Sequence, residues 1–444
     1  MSLTTAPTKC LDEKKGQEQT KSAWFQFLKP TNDPTFRARP QSVMTFKGDL
    51  TSLTAPPFLL APTSIIEYSA YWAEHPKLFV APALEPDPEQ RALKVLQWFL
   101  STLREQHAPK DESGRRKKLK PLNPFLGEIF LGRWVVTDDA SVGVTELVSE
   151  QVSHHPPKTA YKIFNKAHGI SLEGHVAPKA YFSTTINIER KGHGVLHIDR
   201  HDEDHLITMP KVHVEGIMTF QIAPELSGVS YIHSSSGYVS RVEYASKGWL
   251  LKGKSNSFVA TLARSSEPSK PLYTLEGQWN KAYTIKKGGD KTKPTATVDL
   301  TGLRRTPLTL APLAQQHPLE SRRAWRAVAA AIDANDILAV GREKSAIENA
   351  QRALRREEQA DGRVWPRRFF REVLIREDPV LARFADCDAV PALDDGATEG
   401  VSWRFDEDKY RLTLQNAAEG VKSPTHTRFD SGIGMIDDEI LVAA

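Results

Sequence analysis

Between about residues 121 and 300, apolar and polar positions alternate in short runs broken by Gly, Pro and Asn. In TTINIE, Ile186 and Ile188 alternate with Asn187 and Glu189, and Leu196 and Ile198 repeat the pattern beyond GHG at 192–194, which reads as a turn. KVHVEGIMTF, GVSYIHSS, SFVATLA and LYTLEGQW are further strand candidates. A period of two sends successive side chains to opposite faces, one toward a core and one away from it. Many such segments at close spacing predict an antiparallel barrel or sandwich. Helical periodicity flanks this region. Ser64 and Glu67 have capping-box spacing and open a helix through about Trp72. Leu93, Leu96, Leu100 and Leu103 give a helix from about Pro88 to Gln106 one apolar face. Two more helices are expected over Leu319–Ala334 and Asp336–Ala360, the latter stopped by Gly362. Near the N-terminus, Ser22–Leu28 forms a short amphipathic segment before Pro30, Pro34 and Pro40 interrupt it.

The division that follows is a disordered tail over 1–20, a segment with a Pro-rich insertion over 21–60, and N-terminal helices over 61–110. A β core then spans 111–310, a helical C-terminal part 311–414 and a tail 415–444. Composition narrows the function. No run of about 18 apolar residues suits a membrane span, and the polar N-terminus lacks a signal core. Two cysteines among 444 residues, Cys10 and Cys387, exclude a disulfide framework or a Cys-based zinc site and point to the cytoplasm. A net charge of +4 does not argue for nucleic acid. The positive charge is clustered, at Arg115–Lys118 with Lys120 and at Lys286, Lys287, Lys291 and Lys293. Such runs are either solvated loops or sites of attraction to an anionic membrane surface, at about 1 kcal/mol per basic residue near the lipid.

Three groups of residues carry candidate chemistry. The first is EQVSHHPP at 150–157. Its prolines end regular pairing, so the rings of His154 and His155 can share a strand end and donate hydrogen bonds to a phosphate. Structural histidines, a zinc site and a nucleophile–base pair through Ser153 are the alternatives, but no HExxH spacing or GxSxG context accompanies them. The second is KPLNPFLGE at 120–128, where Lys120 and Asn123 stand on a backbone bent by two prolines; a rigid turn is the plain reading. The third is Lys344, Glu348 and Arg352, spaced by four along one helical stripe. They form either surface ion pairs or a device in which Glu348 aims two cations at an anion.

EQVSHHPP and KPLNPFLGE, in this order, resemble the signatures of the oxysterol-binding-protein family. HPLESRRAW at 317–325, the Lys344–Glu348–Arg352 stripe, GDLTSLTAPPFLL, EYSAYWAEHP, LQWFLSTLREQ and VSWRF extend the similarity over about 46–405. The chain is most similar to the short fungal type, which consists of little beyond the lipid-binding domain, with no pleckstrin-type or ankyrin segment before it.

The resemblance implies a mainly β fold with flanking helices (α+β): a large near-closed antiparallel β-barrel around a hydrophobic tunnel. Helices plug one end, an N-terminal lid covers the other and a C-terminal helical subdomain packs outside. It implies a lipid-transfer protein that takes a sterol or phosphatidylinositol 4-phosphate, one at a time. The phosphoinositide headgroup would sit on Lys120, Asn123, His154, His155, Lys344, Glu348 and Arg352. Sterol would lie head-down near Trp72, Gln106 and His107, under a lid carrying Trp24, Phe27, Leu28, Leu50 and Leu53. Neither a cofactor nor a metal nor catalysis is implied. The expected protein is a cytoplasmic monomer that touches Golgi and endoplasmic reticulum membranes transiently. Two departures stand out: His107 replaces the family's tyrosine, and Pro30–Phe46 is inserted before GDL. A lipid sensor acting on a partner, or a carrier of phosphatidylserine in place of sterol, are the competing readings.

Overall fold

The alternation of the middle region becomes a single antiparallel sheet. The computed structural model describes residues 60–107, 120–182, 186–215, 223–245, 255–288, 294–387 and 400–418. The expected lid, with Trp24, Phe27, Leu28, Leu50, Leu53 and the Pro30–Phe46 insertion, lies outside these residues, as does Arg115–Lys118. Strand β1 (Leu60–Ser64) pairs in parallel with β2 (Lys120–Leu122). The sheet begins with β3 (Ile129–Val135), β4 (Val144–His154), β5 (Pro157–Asn165), β6 (Ile170–Phe182), β7 (Ile186–Ile198) and β8 (Glu203–Thr208). It continues with β9 (Lys211–Glu215), β10 (Ala223–Ser234), β11 (Tyr238–Ala245), β12 (Ser257–Arg264), β13 (Tyr273–Gln278), β14 (Ala282–Lys287) and β15 (Ala296–Asp299). These thirteen strands pair mostly with their sequence neighbours, β9 bridging β7 and β10. Beyond β15 the chain returns to the far edge. Arg133 and Thr309 exchange backbone hydrogen bonds of 3.0 and 2.8 Å, and the Ile129 amide donates to Leu319 O at 3.0 Å. The result is a near-closed, barrel-like sheet.

The two faces of β7 meet different cores. Even-numbered Ile188, Leu196 and Ile198 pack inward with Leu172, Ile163, Tyr161 and Trp72. Odd-numbered Val195 packs outward with Leu381 and Phe384. The helix Pro88–His107 (α1) plugs the interior with Leu96, Trp98, Phe99 and Leu100, none more than 1% exposed. Its indole at Trp98 donates to Trp72 O at 2.9 Å. The buried Arg91 guanidinium fastens α1 to Glu203 of β8 at 2.5 Å. No helix among the described residues is long and apolar enough to cross a membrane.

Two expectations need correction. GHG at 192–194 is no turn: β7 runs through it, with Gly192 opposite Val176 and Gly194 opposite Gly174. The glycines serve close approach. A Cβ on Gly192 would stand 2.1 Å from His175 O, and its φ of +115° disfavours any side chain. The capping-box segment Ile65–Trp72 is a helix as expected, of the 3-10 kind, and the Ser64 amide donates to the Glu67 carboxylate at 3.0 Å. Leu319–Ala334 is broken at Trp325, giving Ser321–Ala324 and Arg326–Asp333 (α2). Trp325 leaves the helical path with its indole NH on Glu128 at 2.9 Å. The long helix Ile337–Ala360 (α3) follows, capped by Asp336 and ended before Gly362 at φ +64°. The C-terminal part also contains a β pair, β16 (Phe370–Leu374) and β17 (Val401–Phe405), and a last helix Glu407–Ala418 (α4).

Candidate functional site

The signature 150–157 divides into anchors and tips. Glu150 is fully buried, and its carboxylate accepts the Arg368 and Phe369 amides at 2.8 Å each. Gln151 donates to Ser153 O at 2.8 Å and accepts from Thr159 Oγ1 at 2.6 Å. These bonds fix the end of β4. Beyond the anchors, Ser153 donates to Pro156 O at 2.7 Å, so its hydroxyl is engaged by the turn rather than by a base. His154 and His155 stand edge to face at 4.4 Å between ring centroids, with His155 exposed.

The second group lies against the first. His154 Nδ1–H donates to Pro124 O at 3.0 Å, since a carbonyl can only accept. This bond leaves Nε2 as the free ring position. Asn123, next to Pro124, is exposed. Lys120 begins β2, opposite Leu60. Phe125 packs on Trp325 at 6.1 Å between ring centroids. Glu128 accepts the Phe125 amide at 3.1 Å, and burial pushes its carboxyl up to about 7.

Helix α3 supplies the third group. Its Ile347 is buried in the cluster that holds Leu122, Phe125 and Val152. One face is thereby pressed toward the first two groups. Lys344 pairs with Glu348, and Arg352 reaches the other carboxylate oxygen at 3.1 Å. Burial alone would raise the Glu348 pKa, but these two cations outweigh it and hold the carboxyl below its ordinary value. Glu348 also acts electrostatically on His154, as does Arg355. Through Glu348 the stripe thus acts on His154. Arg355 escaped the sequence reading, although it continues the same face three residues beyond Arg352.

His154 is held below its ordinary pKa by burial, then by His155 and Arg355, with Pro124 O and Glu348 opposing. The unliganded ring is thus neutral at pH 7, and its Nε2 carries a lone pair rather than a proton. A bound phosphate favours the imidazolium, so binding takes up a proton. Affinity for a phosphorylated headgroup is expected to rise as pH falls from about 8 to 6.5, where a phosphate monoester still keeps most of its second charge. Titration of an inositol phosphate across that window measures this. A flat or falling profile would mean that neutral rings bind the anion.

The residues expected near a sterol belong to the barrel interior. Trp72 is buried, with its ring 5.6 Å from Trp98, 6.2 Å from Phe99 and 6.3 Å from Tyr161. Gln106 and His107 end α1 and meet one residue that sequence reading did not single out, Arg190 of β7. Arg190 donates to Gln106 Oε1 at 2.6 Å and stands 3.2 Å from His107 Nε2. The His107 ring lies edge-on to Trp279 at 6.1 Å. Arg190, flanked by Glu189 and Lys191, reads in sequence as one more exposed charge. Among the described residues no three His, Cys, Asp or Glu side chains are grouped to hold a metal ion.

Comparison with known proteins shows the family and the fold. The family model described as oxysterol-binding protein matches residues 42–336. Protein kes1 of Schizosaccharomyces pombe is 42% identical over 377 residues, covering 83% of this chain and 92% of that protein. Protein KES1 of Mycosarcoma maydis is 37% identical, covering 85% and 95%. A probable transporter, efuK of Hormonema carpetanum, is 41% identical over 87% of this chain, which spans only 53% of that protein. Two solved structures share the fold. The Osh1 ORD domain, in complex with cholesterol, aligns with a TM-score of 0.67 at 18% identity over 90% of this chain and 92% of its own. The Osh3 ORD of Saccharomyces cerevisiae, in complex with PI(4)P, aligns at 0.56 with 22% identity over 72% and 83%. The chain belongs to the oxysterol-binding-protein family.

Proposed function

We propose that this protein carries one lipid at a time inside the barrel and exchanges a sterol for phosphatidylinositol 4-phosphate between membranes. What supports the reading is that His154 bonds to the Pro124 turn and lies within the electrostatic reach of Glu348, which pairs with Lys344 and Arg352. Basic and hydrogen-bonding groups from three distant parts of the sequence suit a polyanionic headgroup. The ligands of the Osh1 and Osh3 domains support the two cargo classes.

The physics divides the ligands between the two sites. A sterol body is apolar, and burying it is favourable at about 25 cal/mol per Å2, with one hydroxyl to satisfy. An inositol phosphate carries several charges and stays where cations reach it. In this reading Lys120 and Asn123 complete the mouth, while Trp72, Gln106 and His107 line the deep end. Trp24, Phe27, Leu28, Leu50 and Leu53 form the lid. The protein acts as a cytoplasmic monomer without enzymatic turnover, docking transiently on anionic Golgi and endoplasmic reticulum surfaces. The test is transfer of a fluorescent sterol between two vesicle populations. Phosphatidylinositol 4-phosphate placed only in acceptor vesicles should accelerate net sterol delivery and itself travel back. Binding of both lipids without transfer would favour a sensor, and preference for phosphatidylserine over sterol would reassign the cargo.

A further inference from the structure

Arg190 is a cation on the inner face of the barrel, with no ion-pair partner among the described residues. It shares the inward parity of Ile188, Leu196 and Ile198 on β7. It is half-buried, and its neighbours on that face, Ile188 and Leu196, belong to the interior cluster. Its hydrogen-bonding contacts are Gln106 and His107. Its Nε is buried without a partner, and the Tyr161 hydroxyl is buried on the same inner face. Tyr161 and Tyr244 are the groups that act on it electrostatically, against a burial effect that brings the guanidinium down to about 10. No carboxylate among the described residues pairs with it.

A guanidinium taken from water into such a place is strongly disfavoured unless a counter-charge meets it. The carboxyl end of α1 offsets part of this, through the partial negative charge at a helix terminus. That end does not use the fork: Nε is left over, and a planar guanidinium is matched by two oxygens side by side. A ligand hydroxyl can satisfy one donor. A ligand carboxylate can satisfy two and neutralise the charge.

We propose that the deep end of the cavity, built by Arg190, Gln106, His107 and Tyr161, is a carboxylate pocket, and that the protein accepts rigid apolar acids carried acid-end first. The inference rests on the lipid-carrier reading and names a ligand class beyond sterols and phosphoinositides. Arg190 sets that specificity.

The experiment displaces a fluorescent sterol from the full-length protein with three probes of the same ring system: a 3-hydroxysteroid, the 3-carboxylic acid and its methyl ester. The wild type should bind the acid at least about tenfold more tightly than the ester, as expected for a charge-assisted pair. Arg190→Gln keeps a polar neighbour for Gln106 and should erase the acid-over-ester preference while still binding the hydroxysteroid. Arg190→Lys should keep part of that preference. Equal binding of acid and ester by the wild type would overturn the proposal. So would an Arg190→Gln variant that still prefers the acid, since Arg190 would then serve only to cap α1. If Arg190→Gln fails to fold, the wild-type acid-to-ester ratio decides alone. Failure of the wild type to bind any steroid or phosphatidylinositol 4-phosphate would instead sink the carrier reading itself.

Discussion

Replacing His154 and His155 together by alanine is expected to lower extraction of phosphatidylinositol 4-phosphate by about a hundredfold or more and to leave sterol extraction largely intact. Each charge-assisted hydrogen bond to the headgroup is worth about 1.5–3 kcal/mol, and two are lost. The change also removes the His154–Pro124 contact, which holds the Asn123 turn beside the histidines. Lys120→Ala and Arg352→Ala act in the same direction with smaller effects, because each removes a single cation. Sterol is spared because Gln106 and His107 belong to the far end of α1, bonded to β7 rather than to β4. Exchange fails even though sterol still binds, since unloading needs the competing lipid. A double variant that loses both lipids equally and unfolds at lower denaturant would show that the rings are structural. One that loses neither would move the headgroup site elsewhere.

The opposite pattern is expected at Glu150 in the same signature. Glu150→Ala should cost roughly 2–6 kcal/mol of stability, because two buried amide donors are left unsatisfied at about 1–3 kcal/mol each. Those amides belong to Arg368 and Phe369, next to the fully buried Phe370, so the connection between β4 and the C-terminal part would loosen. Glu150→Gln retains one acceptor oxygen and should lose less. Urea unfolding of the three proteins, alongside the histidine double variant, separates anchor from tip. A Glu150→Ala protein as stable as the wild type, or a histidine variant equally weakened, would erase that division.

Strand alternation, the face of α1 and the cap and stop of α3 were legible because each is a local pattern in which neighbouring residues carry the signal. The glycines of GHG misled for a physical reason. Glycine marks a turn and a close strand crossing with the same letters, and only the partner strand with Gly174 and His175 distinguishes them. The break at Trp325 depends on Glu128, almost two hundred residues earlier, so helical periodicity alone could not show it. The histidine pair was visible as a motif, and its neighbours followed from resemblance. Arg355 needed only a longer reading of the same stripe. Arg190 needed the structure, because a single arginine between charged neighbours becomes an interior residue only once the parity of β7 is known.

The seam between β3 and the returning chain has a consequence for synthesis. Most strand pairs join sequence neighbours, so the sheet can grow as successive hairpins while the ribosome delivers it. Closure is different: Arg133 waits for Thr309, a separation of 176 residues, by subtraction of the two positions. Until then the nascent sheet is an open trough whose apolar lining faces water beside two unpaired edges, the state in which chains of this size associate wrongly. The last residues of the closing segment are thus what turn a vulnerable surface into a container. A chain ended before residue 309 would contain every strand of the large sheet and no closed seam.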